Sequence, residues 1–420
     1  MSRRAAKVLV LGGGFAGLYA ATYLARADVP EGALDVTLIS ERNYFAFLPL
    51  LPEVVGGALG QEEVAFPLRA YARRTGFRFL RARAQSIDPQ ARQVRTSLAV
   101  IDYDFLVVAL GAQSSFLGND EVARNSLPMV SVQDALRLRR HLLRSAESAA
   151  QERDASRRRQ LLSVVVAGGG PSGVEVATEI QCLLQRVSRR DHGLEESPSI
   201  TLIHGGDRIL LGWDETLADE GLDILRKRGI DVRLRTRVEG FNGTTVQVRP
   251  KGGDADHLRA GTLVWTAGTR PATGPLAECG VELPDSGHIP VDEYLCALGQ
   301  DRIFAAGDNA WLPDPRTGQP YPPVAPIAIS QGIRVAANIE NAIVGRELEA
   351  YQAHHAGKIV SLGGGQALVD ILGWHAGGRT AWLLYRAVTL LQLVGARNKL
   401  RALTSLLINR LFEPADIFDH

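Results

Sequence analysis

Two short, uninterrupted apolar runs punctuate this chain, Val8-Leu9-Val10-Leu11 and Val164-Val165-Val166-Ala167, and each gives way at once to three glycines. Runs of this length without polar alternation predict strands buried on both faces, as in a parallel sheet. Past each glycine cluster the apolar positions recur every three and four residues, which predicts a helix. Residues 36–39, 105–108, 200–203 and 303–306 repeat the strand signal. Strands alternating with helices predict an α/β chain on parallel sheets. From residue 373 to 412 the pattern changes. Leucines, Val388, Val394, Trp382 and Tyr385 recur at helical spacing, and the break falls near Gly395-Ala-Arg-Asn398. The pattern predicts two amphipathic helices. Residues 137–160, dense in Arg, Ala and Glu, read as a solvated helix and linker.

Composition narrows the class. At 420 residues the chain has room for two or three domains. Hydrophobic residues make up 45%, charged residues 22%, and the net charge is +1, which argues against a nucleic-acid partner. Cys182, Cys279 and Cys296 form no Cys-x-x-Cys pair, so no redox disulfide or metal site is expected. Met1-Ser-Arg-Arg4 leads straight into the first strand, leaving no room for a cleavable signal. No run of about 20 apolar residues predicts a membrane span.

The glycine clusters carry the chemistry. Gly12-Gly-Gly-Phe-Ala-Gly17 and Gly168-Gly-Gly-Pro-Ser-Gly173 both stand between a strand and a helix. In each, the first glycine (Gly12, Gly168) permits the tight turn, and the second (Gly14, Gly170) lets the backbone approach a diphosphate. The third (Gly17, Gly173) lets the helix lie close to the strand. Helix N-terminal N–H groups then face the anion. Two such units in one chain predict a flavin and a nicotinamide dinucleotide. Glu41, with Ser40 in second place, follows the second strand, where a carboxylate accepts the adenosine ribose hydroxyls. Gly111 and Asp308 end later strands, and Asp308 is placed to accept from a ribityl chain; a helix N-cap is the competing role. In the second unit Glu175 and Glu179 share a helical face. Glu175 is read as a first-turn carboxylate, ionised by the helix dipole and turned to the nicotinamide end; stabilising the dipole alone is the alternative. The strand at 199–203 ends in His204 rather than an acid, so His204 or Arg208 is open to a 2′-phosphate. NADH and NADPH both stay possible.

These motifs together resemble the two-dinucleotide-binding flavoproteins and, within them, the type II NADH:quinone dehydrogenase family. The segment Ser40-Glu-Arg-Asn-Tyr-Phe-Ala-Phe-Leu-Pro-Leu-Leu-Pro-Glu53 and the return Val264-Trp-Thr-Ala-Gly-Thr-Arg-Pro271 carry the likeness, which runs from residue 7 to about 414. The resemblance implies two Rossmann-like dinucleotide-binding domains with a C-terminal amphipathic helical membrane-docking segment. Residues 1–120 and 271–345 would form the FAD-binding domain, 121–270 the NAD(P)H-binding domain, and 346–420 the docking or interface segment. Phe15, Ala16, Asn43, Ala84 and Ala328 join the FAD set. Pro171, Ser172 and Gly268 join the NAD(P)H set. Glu175 and Lys358 are the candidate catalytic residues, Lys358 as a basic group near reduced flavin or simply a surface lysine.

The resemblance also implies a quinone acceptor. The family's Ala-Gln-x-Ala-x-Gln stretch reads here Ala325-Pro-Ile-Ala-Ile-Ser330, so Pro326 and Ser330 replace both glutamines and Gln331 follows. Leu110 replaces a common threonine. Between residues 373 and 412 stand Arg379, Arg386, Arg397, Lys399, Arg401 and Arg410 and no acid. Basic amphipathic helices with Trp and Tyr suit an anionic membrane surface, here the cytoplasmic side of the cell membrane. Packing on the domain or on a second subunit, as a homodimer, is the competing role. Two further functions stand as alternatives: an NAD(P)H reductase of a soluble electron carrier, and a non-catalytic NAD(P)H-binding flavoprotein sensor. A sulfide:quinone reductase is disfavoured because no suitable cysteine pair exists.

Overall fold

The computed structural model describes residues 4–190, 196–277, 283–353, 357–371 and 373–411; Cys279 lies outside them. The chain divides into two compact units, Met1–Ala46 with Phe66–Gln113 and Arg270–His355, and Phe47–Ala65 with Ser114–Thr269 and Ala356–His420.

The first unit is built on a five-stranded parallel sheet. Its strands run in the order Ile303–Ala305, Phe105–Val108, Ala6–Leu11, Leu34–Ser40 and Arg78–Arg81. Val8 to Leu11 are buried on both faces, as their unbroken apolar run requires. Helix Phe15–Leu24 follows the first glycine turn. Helix Ala325–Val344 crosses it so closely that a Cβ at Gly332 would collide with the Ala16 carbonyl. A three-stranded antiparallel sheet, Ala84–Asp88, Gln93–Thr96 and Val100–Asp102, completes the unit.

The second unit repeats the plan. Its parallel sheet runs Leu127–Pro128, Thr262–Trp265, Ser163–Ala167, Ser199–Ile203 and Ile230–Arg233. Helix Pro171–Arg190 follows the second glycine turn. The stretch expected to be a solvated helix is two helices, Val132–Gln151 and Ala155–Leu161, the second capped by Asp154. The first is not fully solvated: Leu138, Leu142, Leu143 and Ala146 form a buried stripe. An antiparallel sheet, Lys358–Ser361, Ala367–Ile371 and Trp374–Gly377, leads into the tail.

The tail forms two helices, Gly378–Gln392 and Ala396–Leu411, breaking where Gly395 stands. Their orientation departs from the pattern of a soluble helix. The buried face carries Ala381, Tyr385, Thr389, Asn398 and Ala402. Leu383, Leu391, Leu400, Leu403, Leu407 and Ile408 are exposed. Tyr385 and Arg386, expected on a headgroup-facing side, are turned inward, because a buried carboxylate, Glu53, needs both. None of the described helices is long and apolar enough to cross a membrane.

Candidate functional site

In the first unit the fingerprint glycines divide by what surrounds them. Gly12 has φ +107°, and a Cβ there would collide with the Ala109 carbonyl; one at Gly17 would collide with the Gly12 carbonyl. Both are demanded by backbone packing. A Cβ at Gly14 meets nothing within 4 Å. The helix starting at Phe15 has no side-chain cap and no acid in its first turn, so its positive dipole end faces no side-chain carboxylate of its own and suits an anion. Phe15 and Ala16 are buried, Phe15 edge-on to Phe45 with ring centroids 5.0 Å apart. Open space at the start of a helix without an acidic first turn fits the diphosphate of a dinucleotide.

Three further strand ends complete this cradle. Asn309, fully buried, accepts from the Gly111 N–H at 3.0 Å and donates to the Gly111 carbonyl at 2.9 Å. It ties the two turns that hold Gly111 and Asp308. Burial raises the Asp308 carboxyl above its ordinary value, and no described residue hydrogen-bonds to its side chain. A half-buried carboxylate without a protein partner fits a hydroxylated ligand. Gln331 is 2% exposed and accepts from the Gly307 N–H at 2.7 Å, so it braces the Asp308 turn. Pro326 stands in the first turn of its helix, and Ala328 lies 3.4 Å from where a Gly307 Cβ would be. Ser330 donates to the Ile327 carbonyl at 3.0 Å and meets the Tyr351 hydroxyl at 2.8 Å. Glu41 is exposed and pairs with Arg83 at 2.6 Å, beside Ala84. The Ser40 Oγ lies 3.0 Å from a notional Gly13 Cβ, and the Asn43 carbonyl accepts from Leu68 N–H.

The second unit has the same division. Gly168 (φ +118°) and Gly173 admit no Cβ, whereas Gly170 faces open space. Pro171 and Ser172 are exposed at the helix start. Gly268 packs on the Ser115 carbonyl, 3.1 Å from a notional Cβ. His204 Nδ1 accepts the Gly169 N–H at 3.2 Å, which makes the ring neutral, and burial lowers its pKa further. Arg208 is taken up by Glu215 at 2.5 Å and Asp219 at 3.6 Å. His204 is thus not a cation, and Arg208 keeps its charge within an exposed pair with two acids. Lys358 donates to the Gly212 carbonyl.

Glu175 is the fifth residue of its helix, past the first turn, so the dipole does not ionise it as expected. Burial pushes its carboxyl up to about 8, helped by the negative charges of Glu53 and Glu179 and opposed by the Ser361 N–H it accepts at 3.0 Å. Burial and Glu53 raise Glu179 to about 7. Glu175 is therefore a neutral acid at neutral pH. Since Oε1 takes the Ser361 N–H, Oε2 is the oxygen that carries the proton.

Asn309, Glu53 and Arg386 had no assigned site role in the sequence. The signal for Glu53 was its isolation: one charge within Phe47-Leu-Pro-Leu-Leu-Pro-Glu-Val-Val55. Arg386 stands alone in the same way between Tyr385 and Ala387.

Comparison with known proteins adds independent findings. The description "pyridine nucleotide-disulphide oxidoreductase" matches residues 6–332. The type II NADH:quinone oxidoreductase of Staphylococcus aureus is 30% identical over 394 residues, spanning 92% of this chain and 95% of that protein. That of Mycobacterium tuberculosis is 31% identical over 415 residues, spanning 94% and 85%. Among solved structures, NDH2 from Plasmodium falciparum in complex with NADH has a TM-score of 0.92 at 19% identity, covering 99% of this chain and 100% of that one. At that identity the likeness is one of fold.

Proposed function

The chain belongs to the type II NADH:quinone oxidoreductase family, and from that premise we propose that it oxidises NADH with FAD and reduces a quinone at a membrane surface. The observation that carries the reading is the pair of open glycine turns, one in each unit, each leading into a helix with no acid in its first turn.

FAD, when bound, would supply the redox chemistry, hydride acceptance from a nicotinamide and two-electron transfer to a quinone. The protein's part is to hold and to exclude. Gly12, Gly14 and Gly17, with the N–H groups of Phe15 and Ala16, receive the flavin diphosphate. Glu41 or Ser40 takes the adenosine ribose, with Asn43 close by in sequence and Ala84 next to Arg83, which pairs with Glu41. Asp308 accepts from the ribityl hydroxyls, on a turn braced by Asn309 and Gln331. Gly111 and Ala328 give backbone approach to the flavin. Gly168, Gly170, Pro171, Ser172 and Gly173 receive NADH, with Gly268 beside it. Neutral His204 and acid-paired Arg208 favour NADH over NADPH. Glu175 holds a proton on Oε2 at the nicotinamide end, and reduction of a quinone to a quinol takes up protons as well as electrons. Lys358, bonded to Gly212, is a weaker candidate for direct action. Pro326 and Ser330 shape an acceptor site that lacks amide side chains at those positions.

The exposed leucines of the tail favour a membrane acceptor over a soluble carrier. An apolar outer face flanked by Arg379, Arg397 and Lys399 suits the anionic cytoplasmic leaflet, with the helices lying in the interface. The test is steady-state NADH oxidation by the purified flavoprotein with a soluble quinone. Quinone-dependent turnover with NADH, and much less with NADPH, is expected; a protein that leaves both nucleotides unoxidised contradicts the reading.

A further inference from the structure

The inner face of the tail packs Ala381 and Tyr385 on an apolar cluster with Ala367 and Val369, and its polar groups grip one segment, residues 53–65. Asn409 donates to the Ala58 carbonyl at 2.8 Å, and Asn398 to the Ala65 carbonyl at 2.9 Å. Arg401 pairs with Glu62 at 2.5 Å, and Ser405 bonds Glu63 at 3.0 Å. The deepest contact is at Glu53, which is 1% exposed. The Tyr385 hydroxyl donates to Glu53 Oε1 at 3.1 Å, and Arg386 pairs with Oε2. Arg386 also lies over the rings of Trp382 and Tyr385, at 5.1 and 5.6 Å.

The other side of this segment meets the second fingerprint helix. A Cβ at Gly56 would collide with the Glu179 carboxylate. Arg186 donates to the Gly56 carbonyl at 2.9 Å, and Arg139, from helix Val132–Gln151, to the Val55 carbonyl at 3.3 Å. Helix Leu51–Gly56 is thus fixed at its C-terminal end by two cations, as a helix dipole favours. Glu53 stands between the tail and the helix that carries Glu175.

We propose that Tyr385 and Arg386 are positioning residues for Glu175: they clamp Glu53 at a fixed place beside the second fingerprint helix, so seating of the tail sets the charge that Glu175 senses. This rests on the proposed role of Glu175 in turnover. A buried ion pair adds little net stability compared with an apolar pair of the same shape. Its role here is better explained by where it holds a negative charge. The groups acting on the pair Glu175 and Glu179 are Glu53, Arg186, Arg228, Tyr385 and Arg386, together with the Ser361 N–H. Among them Glu53 raises both carboxyls, so neutralising it lowers both. Tyr385, buried, titrates well above its ordinary value and stays a donor throughout.

The test is the pH profile of NADH:quinone turnover for the full-length flavoprotein and its E175Q, E53Q and E53Q/R386Q variants, each checked by thermal melting. The double variant removes both charges of the buried pair and guards against E53Q leaving an unpaired guanidinium. The wild type should show a limb near pH 8 that E175Q abolishes. In E53Q and E53Q/R386Q that limb should move toward lower pH by roughly half a unit or more. A limb unmoved in both, while E175Q abolishes it, overturns the clamp alone. An E175Q profile that superimposes on wild type overturns the reading of Glu175 and the clamp with it.

Discussion

Replacing Leu391 and Leu400 by serine tests the outward face of the tail. Both are solvent-exposed, at 73% and 63% of their full surface. Nothing in the fold depends on them, so each substitution should change folding stability by no more than about 0.5 kcal/mol. Transfer of a leucine side chain from water to an apolar medium yields about 1.5–3 kcal/mol. Allowing for incomplete immersion at the interface, the pair should contribute about 2–4 kcal/mol to membrane binding. At 1.4 kcal/mol per decade, L391S/L400S should bind vesicles roughly 30- to 700-fold more weakly. The assay is co-sedimentation with vesicles containing anionic phospholipid, paired with thermal melting and sedimentation velocity. Unchanged vesicle affinity with an unchanged melting temperature refutes the reasoning. A changed sedimentation coefficient would instead assign the leucines to a contact between two copies of the chain.

Three further perturbations follow from the site geometry. N309A removes both bonds to Gly111 and leaves its half-buried N–H without that acceptor, while the carbonyl still accepts from the Ala272 N–H at 2.8 Å; it should cost about 1–3 kcal/mol and loosen FAD, read as a lower melting temperature and flavin lost on gel filtration. G12A forces a Cβ into the Ala109 carbonyl at φ +107°, so the purified variant should be colourless or unfolded, seen in its visible spectrum. Glu175 and Glu179 titrate higher in the folded chain than in the unfolded one, so the native state holds protons that the unfolded chain releases. Their stability contribution is full below about pH 4 and is lost as pH rises toward about 8. Melting temperatures of E175Q should therefore fall less than those of wild type between about pH 6 and 8.5.

What the sequence revealed was local. The buried strands and the roles of Gly17 and Gly173, which pack on Gly12 and Gly168, depend on neighbours a few residues away, and the short motif exposes them; what excludes a Cβ at Gly12 and Gly168 is distant, at Ala109 and Thr266. The tail helices were legible for the same reason. Their orientation was not, because a helical stripe shows that two faces differ without showing which one the fold covers. Here the covered face is set by Glu53, more than three hundred residues away in sequence. Glu175 shows the same limit: its position on a helix was readable, but its neutral state comes from burial among Glu53, Glu179 and Ser361. His204 looked like an open cation until the fold tied its ring to Gly169.

The central claim is that electrons pass from NADH through bound flavin to a quinone. Anaerobic double-mixing stopped flow tests it most directly, by following flavin absorbance first with NADH and then with a menaquinone analogue. The account predicts rapid bleaching by NADH and full return of the yellow spectrum on adding the quinone. Flavin that stays oxidised with NADH, or stays reduced in the presence of quinone, contradicts it.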